Sequence, residues 1–420
     1  MMPVAPSNER SERGGMVLAV NGGSSSIRFA LFQRQMNGGL QRRLHGKLER
    51  IGLPGTSLTY DDAAGDRQDD HIVTHVDEAA AAGFLLDWLQ QRVDLSALSG
   101  IGHRVATGGT RYVEPERVTG EVLEELRRIK ASAPEHLPAE TALIEQFRAA
   151  APRVPQVACF DTTFHRNLPR VARILPIPRR LERAGVRRYG FHGLSYGFLM
   201  QELARVAGTE AAQGRVLLAH LGNGASLAAV RAAQCVDTSM AFTPAAGVPM
   251  SSRSGDLDPG LVRYLAQTEG MTAEQFDHMI NHESGLLGVS EISPDIRDLL
   301  ALEGQDERAA DAVALFCYQV KKCIGAFAAV LGGVDTLVFA GGIGENAAVV
   351  RARICEGLDF LGIELDAARN VTSAPVISAE ASRVTVRVIR TDEELMIAQA
   401  VDRVLGLPGA RETPMQRSQR

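Results

Sequence analysis

The chain reads Met16-Val-Leu-Ala-Val20, then Asn21-Gly-Gly-Ser-Ser-Ser26, then Ile27-Arg-Phe-Ala-Leu-Phe32, and this stretch decides the fold. Two short apolar runs flank a polar segment that contains two glycines. Apolar runs of this length with a Gly/Ser/Asn turn between them are typical of two strands joined as a hairpin. We therefore predict a β-hairpin over residues 16–32.

The same pattern returns 200 residues later, as Arg215-Val-Leu-Leu-Ala219, His220-Leu-Gly-Asn-Gly-Ala-Ser226 and Leu227-Ala-Ala-Val230. A repeat of this length indicates two similarly built halves. Coincidence in a glycine-rich window is the alternative, and the residues alone leave both open. The identities at this offset are Leu18 with Leu218, Ala19 with Ala219, Gly22 with Gly222 and Ser26 with Ser226.

Length and composition are those of an ordinary globular protein. The 420 residues are 45% hydrophobic and 23% charged, which excludes a disordered chain, a collagen-like repeat and a disulfide-stapled miniprotein. This length allows two or three domains. Lys and Arg total 45 against 50 Asp and Glu, and the formal net charge of −5 argues against a nucleic-acid partner. Only four of the basic residues are lysines.

Cysteine usage and hydropathy predict a cytoplasmic location. Five scattered cysteines without a C-x-x-C pair are typical of reduced thiols. The apolar window 324–344 is interrupted by Asp335 and by glycines, which predicts helix, turn and strand instead of a membrane span. Residues 1–15 have no signal-peptide core, so we expect a polar extension there and a polar tail over 407–420.

The rest of the sequence alternates between helical and strand patterns, which predicts an α/β fold. We expect an amphipathic helix over 122–130, a long buried helix over 310–331 and a strand over 337–340. A further strand is expected over 384–389, and a terminal helix extends to about residue 405.

Three glycine-rich turns follow apolar strands, at 21–26, 222–226 and 341–346. Glycine permits positive φ and close approach of the backbone, so several N–H groups can converge on an anion. Three such turns in one chain favour phosphate binding. None matches the P-loop pattern, and none is a G-x-G-x-x-G turn with a downstream acid, so P-loop and dinucleotide sites are disfavoured.

Four segments place charged residues beside small or aromatic ones. Each segment taken alone is explained by a structural role as well as by a catalytic one. The spacing of His and Cys residues nowhere matches that of zinc ligands. The segments are His103-Arg104, Phe160-Asp161-Thr-Thr-Phe-His165, Arg187-Arg-Tyr-Gly-Phe-His192-Gly and Ser252-Arg253-Ser-Gly-Asp256.

Taken in order, these segments closely resemble the acetate kinase (acetokinase) family, which belongs to the sugar kinase, heat-shock protein and actin superfamily. The resemblance extends from about Met16 to Gly406. The runs that carry it are Arg188-Tyr-Gly-Phe-His-Gly193, His220-Leu-Gly-Asn-Gly-Ala-Ser226, Asp237-Thr-Ser-Met, Phe242-Thr-Pro244, Arg253-Ser-Gly-Asp-Leu-Asp-Pro259, Ser284-Gly-Leu-Leu-Gly-Val-Ser290 and Gly342-Ile-Gly-Glu-Asn346.

The resemblance implies duplicated actin-like (ribonuclease H-like) α/β domains with an active-site cleft between them. Domain I would span 16–161 and be completed by a helix over 394–406, and domain II would span 162–393. The implied activity is phosphoryl transfer between ATP and a short-chain carboxylate, which gives an acyl phosphate and ADP. Mg²⁺, or Mn²⁺ in its place, is the implied metal, and a homodimer is the implied assembly.

The resemblance also implies roles for individual residues. Arg104 and Arg253 would hold the carboxylate and the transferring phosphoryl group, with Asp161 and His192 at catalytic positions. Ala106, Glu135, Phe191 and Pro244 would line the acceptor pocket, and Asn21 and Glu393 are the magnesium-associated residues. The nucleotide and its phosphates would contact Ser24, Ser26, Arg28, His220, Leu221, Gly222, Asn223, Gly224, Asp295, Ile296, Arg297, Gly342, Ile343, Gly344, Glu345 and Asn346.

Four departures from the family pattern concern mainly the acceptor. Arg28 stands where the family usually has Lys, a change of shape but not of charge. Ala106 replaces a pocket valine, which would enlarge the acyl site. Glu135 replaces an apolar residue, and a buried carboxylate there would be costly unless paired or protonated. Leu194 and Tyr196 replace Thr and His.

We therefore predict an acetate kinase that acts by direct in-line transfer, with propionate or another short or substituted acid as the alternative acceptor. Glu135 would suit a polar or amino-bearing acid, unless it points away from the pocket. A non-catalytic actin-like nucleotide-binding protein is a hypothesis of another class. A sugar or glycerol kinase fits less well, because a hydroxyl acceptor needs a general base.

Overall fold

The hairpin predicted at residues 16–32 is present and lies inside a larger sheet. The computed structural model describes residues 15–23, 26–52, 55–62, 67–71, 76 and 78–407. Strands Met16–Gly22 and Ser26–Arg34 pair antiparallel, with Ala19 opposite Ala30. The chain divides into two compact units: unit 1 is Met1–Thr163 with Asp392–Arg420, and unit 2 is Phe164–Thr391.

The elements are numbered in chain order. The strands are β1 (Met16–Gly22), β2 (Ser26–Arg34), β3 (Leu40–Glu49), β4 (Ser57–Asp62), β5 (Arg67–His71), β6 (Leu98–Val105), β7 (Glu116–Arg117), β8 (Gln156–Phe160), β9 (Arg215–Leu221), β10 (Ala225–Arg231), β11 (Gln234–Thr238), β12 (Thr336–Ala340) and β13 (Thr385–Val388). The helices are α1 (Glu78–Gln90), α2 (Gly120–Arg128), α3 (Leu137–Ala150), α4 (Arg170–Arg173), α5 (Arg179–Arg183), α6 (Gly193–Ala207), α7 (Thr209–Gln213), α8 (Gly260–Thr268), α9 (Ala273–His282), α10 (Gly285–Ser290), α11 (Ile296–Leu302), α12 (Glu307–Leu331), α13 (Gly341–Asn346), α14 (Ala348–Cys355), α15 (Ala367–Val371) and α16 (Glu393–Val404). Short 3₁₀ segments lie at Leu95–Ala97, Lys130–Ser132, Thr163–His165 and Asp359–Leu361.

The sheet of unit 1 has the order β5-β4-β3-β2-β1-β6-β8-β7. The hairpin strand β1 pairs in parallel with β6, and β6 pairs in parallel with β8. Because β6 and β8 run side by side in the same direction, their carboxyl ends lie at one edge of the sheet. Arg104 near the end of β6 and Asp161 directly after β8 are brought together there, although 57 residues separate them in sequence.

The sheet of unit 2 repeats this plan. Its order is β11-β10-β9-β12-β13, with β9 and β10 antiparallel and with β12 parallel to both β9 and β13. In unit 1 the corresponding order is β3-β2-β1-β6-β8, with the same strand directions. The hairpin recurrence therefore reflects two halves of the same topology, and the predicted duplicated α/β fold is confirmed.

Helix α12 forms the centre of unit 2. By length and composition it is the one described helix that could cross a membrane. Its buried residues, including Phe316, Val320 and Ile324, belong instead to the hydrophobic core beneath β9 and β10. The helix starts at Glu307, three residues earlier than predicted, because the Asp306 carboxylate accepts a hydrogen bond from the Arg308 amide at its N-terminus.

The glycine-rich segment 341–346 differs from the sequence expectation, which placed a turn there and a helix only from about residue 347. It is itself helical, as α13, and it begins directly after β12. Gly341 has φ of 76°, and a Cβ atom at this position would lie 2.6 Å from the Leu221 carbonyl oxygen. Glycine is needed here because β12 turns into a helix against the end of β9.

Glycines also allow the C-terminal helix to pack on the sheet of unit 1. A Cβ atom on Gly102 of β6 would lie 2.4 Å from Ile397 Cγ2 and 2.7 Å from Val401 Cγ2, and both side chains are fully buried on α16. The helix therefore approaches β6 more closely than any strand residue with a side chain would permit.

We predict that Gly102→Ala lowers the free energy of unfolding by about 1–3 kcal/mol, because the added methyl overpacks a full core. Gly304→Ala is the matched control, since a Cβ atom there meets no atom within 4 Å. Urea denaturation measures both variants. Equal stability of the two would contradict the close packing of α16 on β6.

Candidate active site

In unit 1, a single arginine at the end of β6 is held by two carboxylates. Arg104 is 12% exposed at its side chain. Its Nε and Nη2 donate to Asp161 Oδ2 at 2.9 and 2.7 Å, and Nη1 donates to Glu140 Oε1 at 2.7 Å. Nη1 also donates to the Gly22 carbonyl oxygen at 3.1 Å, which connects the arginine to the first glycine turn.

The charges of this cluster depend on one another. Burial opposes the charge of Arg104, but Asp161 and Glu140 outweigh burial and raise the pKa of the guanidinium above its ordinary value. Burial raises the pKa of Glu140 to about 7, although Arg104 and the Ala106 amide, 2.9 Å from Oε2, favour its ionised form. The arginine therefore stays charged at every physiological pH, whereas Glu140 is poised to gain or lose a proton.

The two predicted magnesium-associated residues are in contact. Asn21 Nδ2 donates to Glu393 Oε2 at 2.8 Å and to Glu394 Oε1 at 3.0 Å, at the N-terminus of α16. Burial, then the charges of Asp161 and Glu394, raise the pKa of Glu393 to about 7. Excess negative charge therefore collects beside Asn21.

The remaining predicted residues of unit 1 are spread around this cluster. Ala106 is fully buried one residue after β6, and Glu135 is half-buried in the turn that precedes α3. Arg28 is exposed on β2 directly opposite Asn21, and its charge acts on Glu393. Ser26 opens β2, whereas Ser24 lies outside the described residues.

In unit 2, His192 is held in an unusual backbone conformation. Its φ of 59° and ψ of 25° place it in the left-handed region immediately before α6, where a residue other than glycine is strained. His192 Nδ1 lies 2.9 Å from Ser226 Oγ on β10, and the buried Tyr196 hydroxyl lies 2.5 Å from the same oxygen. Tyr196, noted above as a departure from the family pattern, thus supports the serine that orients the histidine.

The second glycine turn brings His192 close to Arg253. A Cβ atom on Gly224 would lie 3.0 Å from His192 Nε2 and 3.8 Å from Arg253 Nη1. The His192 and His220 rings lie 4.4 Å apart, and His220 Nδ1 contacts Ser195 Oγ at 2.8 Å. Leu221 is buried at the end of β9, and the turn Gly222-Asn223-Gly224 is closed by a bond from the Gly222 amide to the Gly224 carbonyl.

The third glycine segment lies beside the second. A Cβ atom on Gly222 would lie 3.7 Å from the Gly342 amide nitrogen. Glu345 Oε1 accepts hydrogen bonds from the backbone amides of Gly341 and Thr391 at 3.0 and 3.2 Å. Asn346 Nδ2 donates to the Gly342 carbonyl oxygen at 2.9 Å. Ile343 and Gly344 are buried behind this surface.

Other predicted residues have partners of their own. Asp295 caps α11 and binds the exposed Arg297 guanidinium, while the Ile296 side chain is buried in the core of unit 2. Phe191 is likewise a core residue, and Pro244 is half-buried. Any contact of Ile296 with a nucleotide would therefore have to use its backbone.

Two histidines from the charged segments have structural roles. Burial lowers the pKa of both His103 and His165 to about 4, so both are neutral. His103 Nε2 contacts Gln156 Oε1 at 2.8 Å, and His165 Nε2 contacts the Phe191 carbonyl at 2.9 Å.

Sequence reasoning missed residues that support the site: Glu140, Ser195, Glu394 and Thr391, whose hydroxyl lies 2.8 Å from Ser195 Oγ. Only Glu140 had a recognisable signal. It occupies the buried stripe of α3 together with Leu137, Ile144 and Phe147, and an acid at helical spacing among apolar residues indicates a buried charge with a partner.

We predict that Ser226→Ala destabilises the protein by about 1–3 kcal/mol, since it removes the hydrogen bond between Ser226 Oγ and the buried Tyr196 hydroxyl. The double variant Ser226→Ala/Tyr196→Phe should recover much of that loss, because it removes both polar groups. Thermal unfolding of the two single variants and the double variant gives the coupling energy. Additive losses would show that the pair does not interact.

Comparisons with known proteins identify the family of the chain. The sequence model of the Acetokinase family matches residues 16–399. The propionate kinase of Citrobacter rodentium is 42% identical over 404 residues, which cover 95% of this chain and 98% of that one. The acetate kinase of Rhodopseudomonas palustris is 42% identical over 392 residues, or 93% of this chain and 98% of its own. The crystal structure of a propionate kinase from Francisella tularensis superposes with a TM-score of 0.84 at 32% identity and covers 92% of this chain and 98% of that one. The resemblance inferred from the sequence is therefore confirmed, and the chain belongs to the acetokinase family.

Proposed function

We propose that the protein transfers the γ-phosphoryl group of ATP directly to acetate and forms acetyl phosphate and ADP, with propionate as the alternative acceptor. Membership of the acetokinase family makes it an ATP-dependent carboxylate kinase. The observation that carries the proposal is Arg104, a permanently charged side chain fixed by Asp161 at the end of a parallel strand.

The chemistry of the acceptor explains why arginines matter more than a general base. A short carboxylic acid has a pKa of about 4 to 5 and is ionised at neutral pH, so no proton needs to be removed. The obstacle is that an anion must attack a polyanionic phosphate. Fixed positive charge and positioning are what phosphoryl transfer chiefly requires.

In unit 1, we assign Arg104 to the acceptor carboxylate. Asp161 accepts two of its N–H groups and so sets the plane of the guanidinium. Asp161 is then a residue that orients the arginine, not a base that abstracts a proton. Ala106, beside Arg104 at the end of β6, would form part of the acyl pocket.

In unit 2, we assign Arg253 and His192 to the transferring phosphoryl group. Both approach Gly224, whose missing side chain leaves room for a ligand. The backbone of residues 220–224 would contact the phosphates, and residues 342–346 together with 295–297 would hold the rest of the nucleotide. We also propose that units 1 and 2 are the two actin-like domains.

The residues beside Glu393 fit a divalent cation. Asp161 Oδ1 is buried and accepts no hydrogen bond from the described residues. The charge of Asp161, together with burial, raises the pKa of Glu393 to about 7. Carboxylate and amide oxygens are the donors that Mg²⁺ prefers, and it commonly binds through few carboxylates plus substrate phosphates. Asn21 and Glu393 would hold it, and when bound it would neutralise phosphate charge.

We further propose a cytoplasmic homodimer. Helices α8 and α9 are amphipathic, yet neither buries a residue within the described chain. Val262 and Tyr264 on α8 are 48% and 60% exposed. Apolar side chains gathered on an uncovered face are typical of protein–protein contacts, and a second copy of the chain would cover them.

The activity is tested by trapping acyl phosphate as the hydroxamate, with MgATP and a panel of acetate, propionate, butyrate and glycine. We expect the highest kcat/KM for acetate. Glu135→Leu should change it less than about threefold, because Glu135 is half-buried in a turn. Tight ATP binding without product from any acid would overturn the proposal and favour a nucleotide-binding protein. A preference for glycine that Glu135→Leu abolishes would make an amino-bearing acid the acceptor.

Removal of either arginine should affect turnover more than nucleotide binding. We predict that Arg104→Ala and Arg253→Ala each lower kcat by about 10²-fold or more, since each removes charge that stabilises the transition state. The Kd for ATP should change less than about tenfold. Arg308→Ala, which removes a surface ion pair with Asp306, is the control and should leave kcat unchanged. Activity retained in Arg104→Ala would contradict its assignment.

A further inference from the structure

Glu140 is one of two buried carboxylates bonded to the proposed acceptor arginine, and unlike Asp161 it has no role in the assignments above. It is 4% exposed, on the inner face of α3. One of its oxygens accepts from Arg104 Nη1, and the other accepts from the Ala106 amide. It therefore connects the two residues of β6 and the following turn that we assign to the acceptor.

The hydrogen bonds of Arg104 show what this contact costs. A guanidinium has five N–H groups. Nε and Nη2 each give one to Asp161, and Nη1 gives one to Glu140 and one to Gly22. One N–H on Nη2 is left without a partner among the described residues. A carboxylate bound in the usual forked manner needs two.

We propose that Glu140 is a positioning residue that competes with the acceptor for Arg104 and so sets the affinity for the carboxylate. In the free enzyme it fixes the guanidinium and the Ala106 amide in place. When the acceptor binds, Glu140 takes a proton from solvent on the oxygen that faces Arg104, and the Nη1 hydrogen turns to the acceptor. This inference rests on the proposed assignment of Arg104 to the acceptor.

The surroundings of Glu140 favour this exchange. The charged groups that act on it are Arg104 on β6 and Asp161 after β8. Burial raises the pKa of Glu140 to about 7, the negative charge of Asp161 adds to that effect, and Arg104 opposes it. A second carboxylate at Arg104 would weaken this opposition and raise the pKa further. Acceptor binding is therefore coupled to proton uptake.

The sign of the pH dependence follows. The neutral form of Glu140 leaves an N–H of Arg104 for the acceptor and does not repel the charge of the acceptor. The ionised form occupies that N–H and repels the acceptor. Affinity for the acceptor should be greatest below pH 7 and should fall as the pH rises above it. If only the neutral form binds, KM rises tenfold for each pH unit above the pKa of the free enzyme.

The test compares the full-length protein with Glu140→Gln between pH 6 and 9, with acetate varied at saturating MgATP. Glutamine resembles the neutral acid, so its acceptor KM should lose the rise above pH 7, while the KM for ATP changes less than about threefold. Glu145→Gln is the matched control: this residue lies on the same helix in an exposed pair with Arg127 and should keep the wild-type profile. Glu393 is unchanged in all three proteins, so any contribution from it is common to the three profiles and cannot produce a difference between them.

A second measurement needs no variant. Calorimetric titration of the wild-type protein with acetate, in buffers of different ionisation enthalpy at pH 8, reports the protons taken up on binding. We expect uptake approaching one proton. No uptake, or a Glu140→Gln profile equal to wild type, would overturn the role of Glu140 while leaving the kinase activity intact. Failure of the wild-type protein to phosphorylate any acid would instead reject the proposed function.

Discussion

A buried guanidinium must be matched by negative charge, and the site in unit 1 is arranged around that requirement at Arg104. The arginine is nearly enclosed, and the desolvation of its charge is offset by Asp161 and Glu140. Three separate elements must be placed for this to happen: β6 carries the arginine, β8 leads to Asp161, and α3 supplies Glu140. The parallel pairing of β6 and β8 therefore positions the charged residues of the site as well as holding the sheet together.

Carboxyl groups outnumber the arginine in the cluster around Arg104, and this excess of acidic groups determines its protonation. Two carboxyl groups, Glu140 and Glu393, have pKa values raised to about 7 because burial and neighbouring carboxylates disfavour more negative charge. Positively charged ligands or protons would relieve this surplus. The magnesium ion that we propose at Asn21 and Glu393 and the proton that we propose on Glu140 would each do so, which suits an enzyme that brings anions together.

Unit 2 depends on a different constraint, the close approach of backbone segments. Gly341 has no room for a side chain against the Leu221 backbone, and a Cβ atom on Gly224 would lie only 3.0 Å from His192 Nε2. The strained backbone of His192 is kept in place by the bond of its ring to Ser226, which Tyr196 supports in turn. Glycine positions and one strained histidine therefore create the surface to which we assign the phosphates.

Much of this architecture was open to prediction from local patterns. The two hairpins, the long helix α12 and the terminal helix α16 are visible as apolar runs, turn residues and helical periodicity, because these signals depend on neighbours in the chain. The family resemblance added expected roles for Arg104 and the other charged segments. The helical state of residues 341–346 was not predicted, since it depends on contact with β9, more than 100 residues earlier in the chain.

The sequence by itself determined the duplicated α/β fold, the glycine turns and the set of charged residues available for chemistry. Only the tertiary structure decided how those charges are paired. Glu140 and Arg104 are 36 residues apart, and Asn21 and Glu393 are 372 residues apart, yet each pair is in hydrogen-bond contact. Burial and pairing are properties of residues brought together in space, so neither the raised pKa of Glu140 nor its competition for Arg104 can be read from the chain alone.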